Sequence, residues 1–193
     1  MKLTVMSTKT SLAPLFEAVG EVSAELGAGL ELEVFYTHEL DEAGPGAWDR
    51  LRAAVANADI VLIDLRTPGS WFAKLLPDAV RESRAKVVLP LVAGSPKLVG
   101  LLRLGGFSGE SFASRVREAD MDAEYLDMSK AWRMMELIKG AGRILPVGAL
   151  RHMRNWAKCV DYWTLHGKRN LKNMLLLLLR EYFGYRASPE EPT

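Results

Sequence analysis

Through the first hundred residues, short apolar runs alternate with amphipathic stretches, the pattern of βα units wound around a parallel sheet. Lys2–Ser7 reads as a first strand. Leu12, Leu15, Phe16, Val19 and Val22 recur at helical spacing in a helix that Ser11 can cap and that Gly27 and Gly29 end. Leu30–Tyr36 alternates as a second strand, residues 41–46 form a loop, and Trp48, Leu51, Arg52 and Val55 share a helix reaching Asn57. Ile60-Val61-Leu62-Ile63 is continuously apolar, as a strand covered on both faces requires, with Asp64 just past it. A helix over 70–83 leads to a fourth strand, Lys86–Leu91, and a glycine-containing turn at 92–96. Right-handed crossovers then predict an α/β fold, a flavodoxin-like doubly wound parallel sheet of order 2-1-3-4, followed by a helical segment.

Beyond Gly109 the pattern turns helical, over 109–119, 121–139, 147–166 and 170–183, with Asn170 as N-cap of the last helix and Asn173 in its first turn. Leu175–Leu179 present apolar surface on every side and need cover from more than one direction. Self-association through residues 147–183, with Leu176 or Leu177 at the contact, is the expectation. The tail 187–193, rich in proline and glutamate, reads as a linker or disordered end. The organisation expected is an α/β domain over 1–108, a helical segment over 109–186 and that tail.

Charge sharpens this division. Residues 1–129 hold 13 Lys/Arg against 19 Asp/Glu, whereas 130–186 hold 12 against 3, so either the two segments are separate units or the basic one faces an acidic partner. Trp156, Tyr162 and Trp163 interleave with its cations, but no nucleic-acid-binding motif accompanies them and no nucleic acid is expected. The single cysteine, Cys159, supports no disulfide framework. The longest apolar run, Met174–Leu179, is far short of the roughly 20 residues of a membrane helix, and the N-terminus has no signal-peptide core. A cytoplasmic protein is expected.

In a doubly wound sheet, ligands sit beyond the carboxyl ends of the strands. His38, Asp64, Arg66 and Ser95 fall in the loops gathered there. Ser7–Ser11 has the hydroxyl density of a phosphate loop without its glycine. A stand-alone flavodoxin-like protein binding a nucleotide or phosphate ligand is therefore the alternative reading. Neither catalytic residues nor a metal-ligand spacing can be assigned.

Two segments resemble a known family. Tyr162-Trp163-Thr164-Leu165-His166-Gly167-Lys168-Arg169-Asn170-Leu171-Lys172-Asn173-Met174-Leu175 is similar to the "Y-W-x-x-G-G-x-x-N-x-x-N-x-L" segment of the N-terminal region of the cobaltochelatase large subunit (CobN) and magnesium chelatase H family, with His166 standing for the first glycine of the pair. Ser95-Pro96-Lys97-Leu98-Val99-Gly100-Leu101-Leu102-Arg103-Leu104-Gly105-Gly106-Phe107 resembles its "S-P-x-L-x-x-L-x-x-L-G-x-F" stretch. Tyr182-Phe183-Gly184-Tyr185 resembles the entry to the family's proline-rich connection. The resemblance implies a non-catalytic accessory module of a metal chelatase. Its partners would be the remainder of the large subunit and ATPase subunits that use ATP. Its substrates would be a tetrapyrrole and a divalent metal, cobalt or magnesium. On that reading Arg151, Arg154 and Lys158 can meet the peripheral carboxylates of the ring while Trp156 covers a ring face.

Overall fold

A computed structural model describes residues 1–9, 11–66, 71–93, 96–109 and 148–193. The chain divides into two compact units. Among the described residues, one holds 1–11 and 30–109, and the other holds 12–29 and 148–193. The helices expected over 109–119 and 121–139 lie outside the described residues, apart from Gly109.

The first unit is built on a six-stranded sheet of order β2-β1-β3-β4-β5-β6. Its strands are β1 (Lys2–Ser7), β2 (Glu31–Tyr36), β3 (Ile60–Leu65), β4 (Val87–Ala93), β5 (Arg103–Leu104) and β6 (Phe107–Ser108). The first four are parallel in the doubly wound order 2-1-3-4, so the α/β, flavodoxin-like architecture holds. The antiparallel hairpin β5–β6 extends it, formed by the stretch read above only as a family-like segment. Gly105, with φ of 60°, turns that hairpin at a backbone angle L side chains seldom adopt. Arg103 ties β5 to the end of helix α4 (Trp71–Glu82), donating to the carbonyls of Val80, Ser83 and Ala85 at 3.0–3.3 Å. They lie in the last turn of α4 and just beyond it, where carbonyls run out of helical N–H partners, which explains an arginine in this stretch.

β3 is buried at all six positions, as its unbroken apolar run requires. Met6, Phe35, Val61, Ile63 and Val88 form one core with Leu51 and Val55 of helix α3 (Pro45–Asn57) and Leu76 of α4. Leu3, Val5, Leu62 and Leu89 are buried on the sheet's other face. Asp64 is inside β3, not past it. The β3–β4 register shifts between Ile63 and Asp64, beside Pro90 of β4, which has no N–H to give the ladder. Residues 37–43, between strand and expected loop, form a helix, α2 (Thr37–Ala43), and the expected loop 41–46 is taken up by α2 and the start of α3. A single turn, α5 (Pro96–Val99), precedes the hairpin.

The second unit joins helix α1 (Ala13–Leu26) to two long helices, α6 (Ala149–Leu165) and α7 (Gly167–Phe183), with α7 packed on both others. Leu12, not Ser11, stands at the N-cap of α1, and His166, not Asn170, at that of α7. Of the apolar residues that recur at helical spacing in α1, Phe16 is half-exposed. Leu175–Leu179 are all buried, none above 4% exposed. The leucine surface from which self-association follows is therefore already covered within one chain, and Leu176 and Leu177 are not available as its contact.

The basic segment finds acidic partners in its own unit. Glu17, Glu21 and Glu25 recur every four residues along α1, hence on one face. Lys168 of α7 pairs with Glu21 at 2.8 Å, and Lys172 with Glu21 at 3.3 Å and Glu25 at 2.8 Å. These exposed pairs add little stability but set which faces of α1 and α7 meet. Residues of the tail, expected as a linker or disordered end, bond back onto this unit. Glu190, Glu191 and Thr193 bond to α6 and α7.

Candidate functional site

The sheet order reverses between β1 and β3, and the carboxyl ends of these two strands are the topological switch point of the fold. Ser7 ends β1 in direct register with Asp64. Both are fully buried, and the Ser7 hydroxyl donates to Oδ2 of Asp64 at 3.1 Å. Ser7 Oγ also accepts the backbone N–H of Lys9 at 3.0 Å, and the N–H of Thr8 reaches the Asp64 carbonyl at 3.0 Å. The turn after β1 is thus stapled to β3.

Two cations interact with this carboxylate. Arg66, with an exposed side chain, has Nε 3.8 Å from Oδ1 of Asp64. Burial lowers the pKa of Lys9 below the ordinary lysine value; the Asp64 carboxylate raises it in part, and Arg66 lowers it further. The result is a buried carboxylate bonded by one hydroxyl and attracting two cations, in the crevice where this fold class places ligands.

The residues read as candidates are not all brought there. His38 lies in the first turn of α2, exposed, its ring 5.8 Å from that of Tyr36. Ser95 lies outside the described residues. Ser7 and Lys9 were legible only as members of a hydroxyl-rich loop. Their bonds depend on the β1–β3 register, which sequence spacing does not reveal.

The other candidates lie on α6. Arg151 donates from Nε to Glu181 at 2.8 Å, and Lys158 reaches Glu191 at 2.6 Å. Arg154 is exposed, and Trp156 is only 6% exposed. The surface of α6 therefore offers cations, two of them engaged by carboxylates, while the indole belongs to the core and gives little face to a flat ligand.

A part-buried polar cluster joins α6 to α7. Asn155 donates to the Tyr182 hydroxyl at 3.1 Å, and His152 Nδ1 lies 3.1 Å from the same oxygen. Burial, then Arg151, push the His152 pKa down. Burial alone would raise that of Glu181, but hydrogen bonds from Arg151 and Arg180 outweigh it and hold it below the ordinary carboxylate value. Burial pushes the Cys159 thiol far up, so it is an inert core residue.

A separate cleft of about 510 Å³ opens at the other end of the sheet, lined by Lys2, Thr4, Glu31, Glu33, Arg50 and Asn57. Its charges are of mixed sign. Among the described residues no three His, Cys, Asp or Glu side chains gather as metal ligands, and no helix is long and apolar enough to cross a membrane.

Residues 4–157 match the family described as "Domain of unknown function (DUF3479)". Over 180 residues the chain is 24% identical to the magnesium-chelatase H subunit of Chlorobaculum parvum, an alignment that covers 88% of this chain and 14% of that protein. The chain thus spans a small part of the length of the relative it matches.

Proposed function

The chain belongs to the DUF3479 family, that of the N-terminal region of CobN and magnesium chelatase H subunits, and from this premise we propose that it is a non-catalytic accessory module of an ATP-dependent metal chelatase large subunit. The observation that carries the reading is the match to a magnesium-chelatase H subunit along 88% of the chain. The activity it serves is insertion of a divalent metal, magnesium or cobalt, into a cyclic tetrapyrrole. ATPase subunits and the remainder of the large subunit are its partners, in the cytoplasm. Insertion requires groups that take the pyrrole protons and ligands that hand over a dehydrated ion, and on this reading other parts of the large subunit supply them.

The test is reconstitution. The isolated chain, mixed with ATPase subunits, ATP, metal and porphyrin or corrin precursor, should give no metallated product. A large subunit lacking this region should lose activity and regain it when the chain is added in trans. Product from the chain without the remainder of the subunit would overturn the non-catalytic reading; a truncated subunit as active as the whole would overturn the accessory one.

The crevice at the switch point favours a second reading, in which Lys9 and Arg66 hold the anionic end of a nucleotide or phosphate ligand. The buried Asp64 carboxylate opposes it, since it already draws on both cations. Titration with ATP and with inorganic phosphate, monitored by calorimetry, discriminates: saturable binding lost in Lys9→Ala/Arg66→Ala selects the second reading.

A further inference from the structure

The last residues of the described chain are held by α6 and α7 mainly through their backbone. Oδ1 of Asn170 accepts the N–H of Thr193 at 3.1 Å, and Nδ2 of the same amide donates to the main-chain oxygen of Thr193 at 2.7 Å. One turn on, Oδ1 of Asn173 accepts the N–H of Glu190 at 3.0 Å. The Tyr162 hydroxyl donates to the carbonyl of Glu190. Positions 190 and 193 are thus gripped by side chains three apart on one helix face.

With the strap in place the gripping side chains are buried. Tyr162 is 1% exposed and each asparagine 6%. Nδ2 of Asn173 also donates to the Arg169 carbonyl at 3.0 Å, and Nδ2 of Asn170 to that of His166 at 2.9 Å. Because a carbonyl only accepts, the bonds to His166 and Arg169 identify Nδ2 of each amide and leave Oδ1 to accept from the strap. Burial first, and then Glu191, push the Tyr162 hydroxyl up to about 12, so it stays a donor across the working pH range.

Main-chain bonds read extension, not sequence; two ion pairs add the chemistry. Glu190 meets Arg169 at 2.7 Å, and Glu191 meets Lys158 at 2.6 Å. Pro189 and Pro192 fall at positions whose N–H the groove does not use, where proline restricts the unbound chain at no loss of a bond.

We propose that Tyr162, Asn170 and Asn173, flanked by Lys158 and Arg169, form a peptide-binding groove for an extended acidic segment with prolines outside its bonded positions, and that residues 189–193 occupy it in cis. The inference does not depend on the chelatase reading. A covalently attached strap acts at an effective concentration of about 1 mM or more, so a free peptide of the same chemistry is excluded until the strap is displaced.

The probe is a synthetic peptide with the sequence of residues 187–193, titrated calorimetrically into the full chain. Wild type should bind it undetectably below about 1 mM. In Glu190→Pro/Thr193→Pro, which removes both gripped N–H groups and leaves the groove intact, the peptide should bind saturably. Adding Asn170→Ala/Asn173→Ala should abolish that binding, and adding Lys158→Ala/Arg169→Ala should weaken it several-fold and flatten its salt dependence. Absence of binding to a strap variant whose helical circular dichroism matches wild type would overturn the proposal, as would binding equal to that of wild type or indifferent to the asparagines. Should the strap variant not fold, amide exchange in wild type decides: Glu190 and Thr193 should be protected and lose at least tenfold in Asn170→Ala/Asn173→Ala, and unprotected amides would refute the clamp.

Discussion

Ser7 donates its hydroxyl hydrogen to Oδ2 of Asp64 at 3.1 Å, joining the last residue of β1 to a carboxylate with no solvent exposure on β3. A carboxylate taken out of water is tolerable only when hydrogen bonds and counter-charges replace its hydration, and Ser7 supplies one such bond at the floor of the crevice.

Ser7→Ala should therefore cost about 1.5–3 kcal/mol, the range for a buried hydrogen bond to a charged group. Urea denaturation of Ser7→Ala, Asp64→Ala and the double variant checks it through the coupling energy. Additive losses would show that the two residues act separately.

The second unit should lose stability in acid in two stages. His152 has a lowered pKa in the fold, so it is neutral there and binds protons more readily when unfolded. Its penalty appears as pH falls below the unfolded histidine value of about 6.5. Glu181 also has a lowered pKa, so its contribution is present above the ordinary carboxylate value of about 4.3 and is lost as pH falls through its folded pKa. Both effects run the same way. His152→Gln should flatten the stability profile between pH 7 and 5, and Arg151→Met should flatten it below pH 4.5. Fluorescence-monitored melting across this range measures both.

Leu176 and Leu177, at 4% and 2% exposure, serve the fold of one chain. Leu177→Ala should cost about 2–5 kcal/mol, as for other buried leucines. Light scattering should give the same mass for wild type and for a folded Leu176→Ala variant at every concentration. A concentration-dependent mass that Leu176→Ala abolishes would restore these leucines as a contact between copies.

The strands were legible because the physics that places them is local. Ile60–Ile63 has no polar residue, which only a doubly covered strand accepts, and β1 is expected over the residues where it occurs. α2 was not legible, since seven residues with one buried side chain, Leu40, give no periodicity. Two-residue strands such as β5 and β6 leave no alternation either. At the crevice, Asp64 and Arg66 were singled out because strand ends are where this fold class places ligands, whereas the bond from Ser7 to Asp64 needed the strand register. Asn170 and Asn173 look from sequence like residues of a helix's opening turn. Their backbone partners lie about twenty positions downstream, and only the folded tail reveals them.

The turn between α6 and α7 carries a strain that one substitution should relieve. His166 has φ of 59° and ψ of −162°, a region in which L side chains cost about 1–3 kcal/mol, and among the described residues it alone combines a side chain with a positive φ. The position is over-determined. The His166 N–H reaches the Tyr162 carbonyl at 3.0 Å, its carbonyl accepts from Asn170 at 2.9 Å, and Gly167 follows with φ of 76°. Two successive positive φ values suit two glycines, as in the Y-W-x-x-G-G segment that this stretch resembles. His166→Gly removes the strain and loses an edge contact with Trp163, at 6.4 Å between ring centroids, together with roughly 0.5–1 kcal/mol of backbone entropy. The net expectation is a gain of about 1 kcal/mol. His166→Ala keeps the strained backbone and loses the ring contact, so it should not stabilise. Denaturant midpoints of the three proteins decide it: Ala at or above Gly would mean that the imidazole, not the backbone, sets the energy of this turn.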